Sequence, residues 1–381
     1  MPNFKRPELL GFLFPTVLLI SVSTIVSANT APVVLNTTKA LAYPNIDPSL
    51  SESLYPNEAA TAKQIANSIE MSIRKQYATD LALRDAHPKA HGCVRAEFQI
   101  NDTLPPTLAQ GVFIPGKTYP TWIRFSNASS NAKQADIKKD ARGMAIKLLG
   151  VSGKNLSDEP SSTQDFIMIN HPVFFANDPA RYLSFIQDIN SDKFLKKLHI
   201  PFALGAKGTW IALNTRNKIS NPLQTRYWSM VPYQLGLGNQ RQAVKYSVRA
   251  CSTIVSPFPT RPNKDFLREA LRTSLQESDA CMEFLVQPRT SSAMSVEDSM
   301  TEWKEDQAPF YKVATIRIPK QVFDTPEQNI FCENLSFTPW HALAEHKPLG
   351  AINRMRKVIY EQISRVRHEM NSTERLEPSS Q

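Results

Sequence analysis

Two small groups of residues carry the chemistry that this sequence can offer. Near the C-terminus, Arg356-x-x-x-Tyr360 places a guanidinium one helical turn before a phenol. A cation at that distance favours the ionised phenol, and a phenolate can hold a ferric ion. The same spacing also fits a plain surface helix with a packed tyrosine and solvated arginines. Near the front, His87, Lys89 and His91 alternate, so an extended backbone would aim them to one face. No carboxylate or cysteine stands at ligand spacing beside them, so a polar strand face explains them better than a two-histidine metal site. His87, with Arg84 three residues earlier, suits acid-base work, because imidazole both accepts and returns a proton near neutral pH. A loop histidine before Pro88 is the plain alternative.

These side chains need elements to hold them. Ile352, Met355, Ile359, Ile363 and Val366 recur at three and four residues across the C-terminal stretch, which predicts an amphipathic helix. Arg356, Tyr360, Ser364 and Arg367 form a second stripe on it. Another helix is expected from Asn57, a candidate N-cap, to about Leu83, with Ala60, Ile65, Ile69 and Ile73 on one side. Strand patterns follow at His87–Ile100, Thr121–Ser126, Asp140–Leu149 and Asp165–Phe175. Asp178–Asn190 and Asp265–Glu277 read as helices. Tyr227–Met230, Ala243–Cys251 and Tyr311–Pro319 have strand character, and the rest of 193–295 is the least informative part. Closely spaced strands favour a barrel or sandwich over alternating strand-helix units.

The chain has 381 residues, 28 prolines and 12 glycines, which favours irregular connections, and no Gly-x-Gly-x-x-Gly or Walker pattern is present. Net charge is +9, but there is no basic stripe with interleaved aromatics, so nucleic acid is not an expected partner. Residues 1–28 combine Lys5 and Arg6, an apolar run from Leu9 to Val26, and Val26-Ser27-Ala28, which describes a secretory signal cut after Ala28. An uncleaved anchor is the alternative; after cleavage no stable membrane insertion is expected. Residues 29–58 read as a linker or arm, 59–370 as one domain, and 371–381 as a disordered tail. The four cysteines lack Cys-x-x-Cys spacing, and an exported chain can pair them; Cys251 with Cys281 is the expected bridge, among three possible connectivities.

Several short stretches, in this order, resemble the haem catalase family. His87-x-Lys-x-x-Gly92 with Arg84 upstream looks like its distal-histidine segment. Arg124-Phe-Ser126, Ala135-Asp136 and Asp140-x-Arg142-Gly143 look like the next block. Asn170-x-Pro172-Val-Phe-Phe175 with Asp178-Pro179 and Ser184-Phe-Ile186 follows, and Glu333 to Pro339 leads to Arg356-x-x-x-Tyr360, which is similar to the proximal helix. The resemblance runs from about Arg84 to Arg367.

It implies an α+β fold, a catalase-like antiparallel β-barrel with surrounding helices and a C-terminal proximal haem helix. It also implies haem b (iron protoporphyrin IX) as cofactor, with Tyr360 as the axial ligand to iron and Arg356 keeping that tyrosine ionised. His87 would be the distal acid-base, oriented by Ser126, with Asn170 beside it. Arg84, Arg124 and Arg367 would pair with the propionates, and Tyr182 would stack over the macrocycle. Two departures stand out. The distal asparagine of true catalases, which helps to hold a second hydrogen peroxide, falls in ungapped register on Ile169, with Asn170 as its neighbour. Ala86 replaces the usual valine beside the histidine. The resemblance is therefore nearest to the small exported catalase-related peroxidases. A periplasmic or secreted peroxidase is expected, reducing hydrogen peroxide or organic hydroperoxides with an organic donor. A homo-oligomer is compatible with this. A hydroperoxide isomerase of the allene oxide synthase type, or a non-catalytic haem-binding protein, is the alternative.

Overall fold

Strands with one face apolar must bury that face, and here they do so by closing on themselves. The structure is a computed structural model that describes residues 42–158 and 161–378. The expected signal segment 1–28 and the first part of the 29–58 arm lie outside those residues. In chain order the elements are α1 (Glu58–Gln76), β1 (Ala90–Ile100), β2 (Thr118–Asn127), β3 (Arg142–Leu148), β4 (Gln164–Ile169), α2 (Pro179–Ile189) and α3 (Phe194–Asn214). Then come β5 (Tyr227–Trp228), β6 (Tyr233–Leu235), β7 (Gln242–Ala250), α4 (Phe266–Glu277), β8 (Ala280–Pro288), β9 (Tyr311–Ile318), α5 (Pro326–Asn334) and α6 (Gly350–Met370). The sheet order is β5-β4-β3-β2-β1-β9-β8-β7-β6, and β5 also pairs with β7, so eight antiparallel strands close a ring with β6 alongside. This is the expected α+β barrel with helices around it.

The barrel has no room inside for a large ligand. Phe98, Phe166, Tyr246 and Phe284 meet there at ring separations of 4.7 to 5.5 Å. His346 completes the plug, accepting the Val112 N–H at Nε2 and meeting the Tyr246 hydroxyl at Nδ1. A second apolar cluster joins α1, α2 and α6 through Ile65, Ile69, Ile186, Ile352 and Ile359. Alternation along the strands explains the division: Ile123 and Phe125 point into the plug, whereas Arg124 and Ser126 face the helical layer.

The apolar stripe predicted for the C-terminal helix is present, and its start is fixed by charge. Gly350 N–H donates to Glu52 Oε1 and Ala351 N–H to Glu297 Oε2, satisfying two donors that a helix leaves open. Arg354 lies fully buried between Glu52, Glu58 and Glu297, so the 42–58 arm is a fastened element, not a loose linker, over its described part.

Other expectations need correction. The first helix ends at Gln76, not Leu83, and Asn57 occupies its N-cap position in a left-handed conformation (φ 58°) without a side-chain cap. The expected disordered tail 371–381 is held over its described residues: Leu376 bridges to Leu335, and Glu377 reaches Lys147 at 2.9 Å. Cys251 pairs with Cys281 as expected, and Cys93 with Cys332.

Candidate active site

A cavity of about 280 Å³ lies between the barrel wall and the helices, close to the lower end of ligand-pocket volumes, about 300 Å³. His87, Ser126, Arg124, Tyr182, Arg356 and Tyr360 all line it, as do Arg84 and Arg367. Residues more than 270 positions apart thus meet at one site, as the resemblance implies.

On the barrel side, His87 sits in the loop before β1 with a left-handed backbone, φ 63°, rare for a residue with a side chain. Arg124 Nη2 donates to the His87 carbonyl at 2.8 Å and helps to hold that conformation. The turn separates His87 from its neighbours: Lys89 pairs with Asp136 at 2.7 Å, and His91 bonds Asn127 at 2.9 Å. The single polar face expected of His87, Lys89 and His91 therefore splits. His87 Nδ1 lies 3.0 Å from Ser126 Oγ, leaving Nε2 as the nitrogen for the cavity. Burial, with Arg124 and Arg356 nearby, pulls the imidazole down to about 3, so it is neutral at ordinary pH and able to accept a proton.

Asn170 is a correction. Its Oδ1 accepts the Arg142 N–H at 2.7 Å, it is buried at the strand end, and it is not part of the cavity lining. Ile169, which stands opposite Gly143 in the row that starts at Ser126, does not line the cavity either; from this strand Ile167 and Met168 do. Gly143 is a site residue whose role the sequence alone does not reveal: a Cβ there would fall 2.5 Å from His87 Nδ1 and 2.8 Å from Ser126 Oγ.

On α6, Arg356 Nη2 donates to the Tyr360 hydroxyl at 2.9 Å, and Nη1 donates to Asn353 Oδ1 at 3.1 Å. Burial alone would push Arg356 down, but Tyr360 and Tyr233 beside it hold it above its ordinary value. A guanidinium fixed this way stabilises negative charge on the Tyr360 oxygen. Tyr182, on α2, joins Phe174, Phe175 and Phe185 in an aromatic wall, with ring separations of 5.1 to 6.2 Å.

Arg84, Arg124 and Arg367 converge on one carboxylate. Glu333 lies 2.8 Å from Arg84, 3.2 Å from Arg367 and 3.9 Å from Arg124. Three guanidiniums against one anion leave positive charge over. Burial and the neighbouring Arg84 pull Arg124 down to about 9, and burial pulls Arg367 to about 10. Arg124 Nε is buried without a hydrogen-bond partner among the described residues. An anionic group entering here would meet unused donors, and the two carboxylates of a haem fit that need. The Cys93–Cys332 bridge ties α5, which ends beside Glu333, to β1. Asp85 also lines the cavity, and burial raises its carboxyl to about 6. It is a site residue absent from the sequence-based set, since nothing in its neighbours marks it.

The closed antiparallel barrel with helices around it is similar in fold to solved catalases. The structure of catalase A from Saccharomyces cerevisiae matches with a TM-score of 0.59 at 19% identity, covering 76% of this chain and 62% of that one. A fungal catalase matches with a TM-score of 0.58 at 17% identity, covering 79% and 61%. In sequence, residues 73–199 match the catalase family model. A catalase from an Onchocerca volvulus endobacterium is 31% identical over 103 residues, 27% of this chain and 20% of that protein. One from Ascaris suum is 32% identical over 104 residues, covering 27% and 17%. By that matched stretch and by its fold, the chain is similar to the catalases. The matches span only about a fifth of those relatives' own length, 20% and 17%.

Proposed function

We propose that this protein is a haem-dependent peroxidase that reduces hydrogen peroxide or small organic hydroperoxides, with an organic electron donor completing the cycle. One observation carries the reading: the His87–Ser126 pair and the Arg356–Tyr360 pair, from distant parts of the chain, line one cavity rimmed by undercompensated arginines. Tyr360 would hold the iron, Arg84, Arg124 and Arg367 the propionates, and Tyr182 the macrocycle face. The bound haem would supply the two-electron reduction of the peroxide.

The chain's own residues then do the following. With Nδ1–H donating to Ser126 Oγ, His87 Nε2 is free to take the peroxide's proton and return it to the departing oxygen. Arg356 donates to the Tyr360 oxygen, where it would support the bond from that oxygen to the iron. Among the described residues no amide side chain lines the cavity, so none is there to bind a second peroxide. That favours an organic reductant over disproportionation. Two disulfides using all four cysteines support an oxidising compartment, and hence the export expected from residues 1–28.

Absorption spectra and steady-state oxidation of a chromogenic donor test the reading. The purified protein should show a Soret band with high-spin ferric features. His87→Ala should keep the band and lose turnover by about 100-fold or more. Tyr360→Phe should fail to retain ferric haem. A protein that binds haem but oxidises no donor would be a carrier instead, and one that rearranges a fatty-acid hydroperoxide without consuming donor would be an isomerase.

A further inference from the structure

Helix α3 turns an unusual set of side chains outward. A kink at Gly205 (φ 70°, ψ 174°) divides it: Leu195, Leu198 and Phe202 are exposed before the kink, and Trp210 and Leu213 after it. Leu195 is 78% exposed, Phe202 77% and Trp210 64%. Burial falls on Ala203, Leu204, Gly208 and Ile211, around and after the kink, while residues 193–199 are exposed throughout. Single exposed apolar side chains are ordinary, but these five large ones on one kinked helix, two of them aromatic, mark a surface that meets something apolar.

Charge indicates which partner. From Lys193 through Lys264 the chain has no aspartate or glutamate, while Lys193, Lys196, Lys197, Lys207, Arg216 and Lys218 lie along or just beyond α3. The acids that flank this helix are already matched: Asp188 by His199 at 2.6 Å and Lys196 at 3.4 Å, and Asp192 by Lys75. Lys193 and Lys197 are exposed and make no ion pair among the described residues. The geometry points to α3 as a docking face for an anionic lipid surface, its aromatic and leucine side chains entering the headgroup boundary while the lysines meet lipid phosphates. Large apolar residues with lysines beside them, on an element that has no acid of its own, are what a membrane interface takes up. None of the described helices is long and apolar enough to cross a membrane, so α3 would lie on the surface and not span it. The inference is independent of the haem chemistry.

Tryptophan quenching by brominated lipids tests it on the full chain. Trp210 is the one strongly exposed tryptophan among the described residues, so its emission reports contact at this face. Vesicles of equal phosphatidylcholine and phosphatidylglycerol with brominated chains should quench it, pure phosphatidylcholine vesicles much less, and Trp210→Phe should remove the quenched component. Lys196→Glu with Lys197→Glu should lower partitioning to the anionic vesicles by on the order of tenfold or more, with circular dichroism unchanged. Phe202→Ser, tested the same way, should weaken partitioning by at least severalfold. The proposal is overturned if the chain sediments with vesicles but Trp210 is not quenched, since another segment then binds. It is also overturned if neutral vesicles bind equally, or if sedimentation equilibrium shows a dimer that Phe202→Ser dissolves, which would make a second copy the occupant.

Discussion

Gly143 stands so close to His87 that a single methyl group cannot fit between them: a Cβ on Gly143 would fall 2.5 Å from the His87 Nδ1. The glycine is paired with Ser126 across β2 and β3, so the same methyl would also intrude on the Ser126 hydroxyl. A bare backbone at this point of the barrel wall lets the imidazole lie flat against the sheet and reach its hydroxyl partner.

Gly143→Ala should therefore act on chemistry more than on folding. The ring must tilt or shift by a fraction of an ångström or more, and misplacing an acid-base group on that scale costs about 100-fold in turnover. Overpacking one methyl at a cavity wall costs about 1–3 kcal/mol. Donor oxidation and urea unfolding on the same preparation separate the two effects. A variant with normal turnover and lower stability would show that His87 needs no such seat.

Asp85 gives a pH signature. Burial lifts its carboxyl from the ordinary 3.8 to about 6, so the folded protein holds this proton over a range in which the unfolded chain has released it. Stability from this group is thus greatest below about pH 4, falls as pH rises to about 6, and the penalty is complete above that. The shift of about two units sets an upper bound of about 3 kcal/mol. Asp85→Asn should raise stability at pH 7.5, leave it almost unchanged at pH 4, and flatten the slope between. Unfolding by urea at those pH values would refute this if the variant and the parent ran parallel.

Arg354 should be the least replaceable residue of α6. Glu52, Glu58 and Glu297 all bond to it, at 2.7 to 3.1 Å. Burial raises the Glu58 carboxyl, but bonds from Arg354 and Tyr43 outweigh it and hold the group below its usual value. Arg354→Met would leave Glu58 and Glu297 without their cation and Glu52 with Lys347 alone, at a cost of about 3–5 kcal/mol at neutral pH. The deficit should narrow as pH falls towards 5, because the stranded carboxyls can then take up protons. Denaturant titrations at pH 7 and 5 measure both numbers.

What is legible in the sequence and what is not divide along physical lines. The stripes of α6 and the alternation of β2 are local patterns, and by themselves they put Arg356, Tyr360, Arg124 and Ser126 on the correct faces. Non-local relationships leave no such trace. Which residues of β4 reach the site depends on how β3 and β4 pack beside the helices: Ile167 and Met168 line the cavity, while Ile169 and Asn170 do not. Glu333 lies 34 residues before Arg367 and nearly 250 after Arg84, and only folding brings the three together. Helix α3 is hidden in the sequence because Pro201 and Gly205 interrupt it and its apolar residues face outward, which blurs the usual signal of a buried stripe.

Glu333 makes the last prediction, because its role should depend on whether the cavity is filled. In the haem-free protein it is the carboxylate shared by Arg84, Arg124 and Arg367, and Glu333→Gln would leave those cations facing one another. Removing one partner of a buried charge cluster costs about 3–5 kcal/mol, and the lower part of that range applies to a carboxylate that keeps some exposure, as this one does at 20%. Haem brings two carboxylates of its own. If these meet the same arginines, the loss in the haem-loaded variant should shrink to about 1 kcal/mol or less, the range of a partly exposed ion pair. Urea unfolding of parent and variant, each with and without haem, completes the cycle. An equal loss in both states would mean that the propionates and Glu333 do not share these arginines, and the assignment of Arg84, Arg124 and Arg367 to haem would have to be withdrawn.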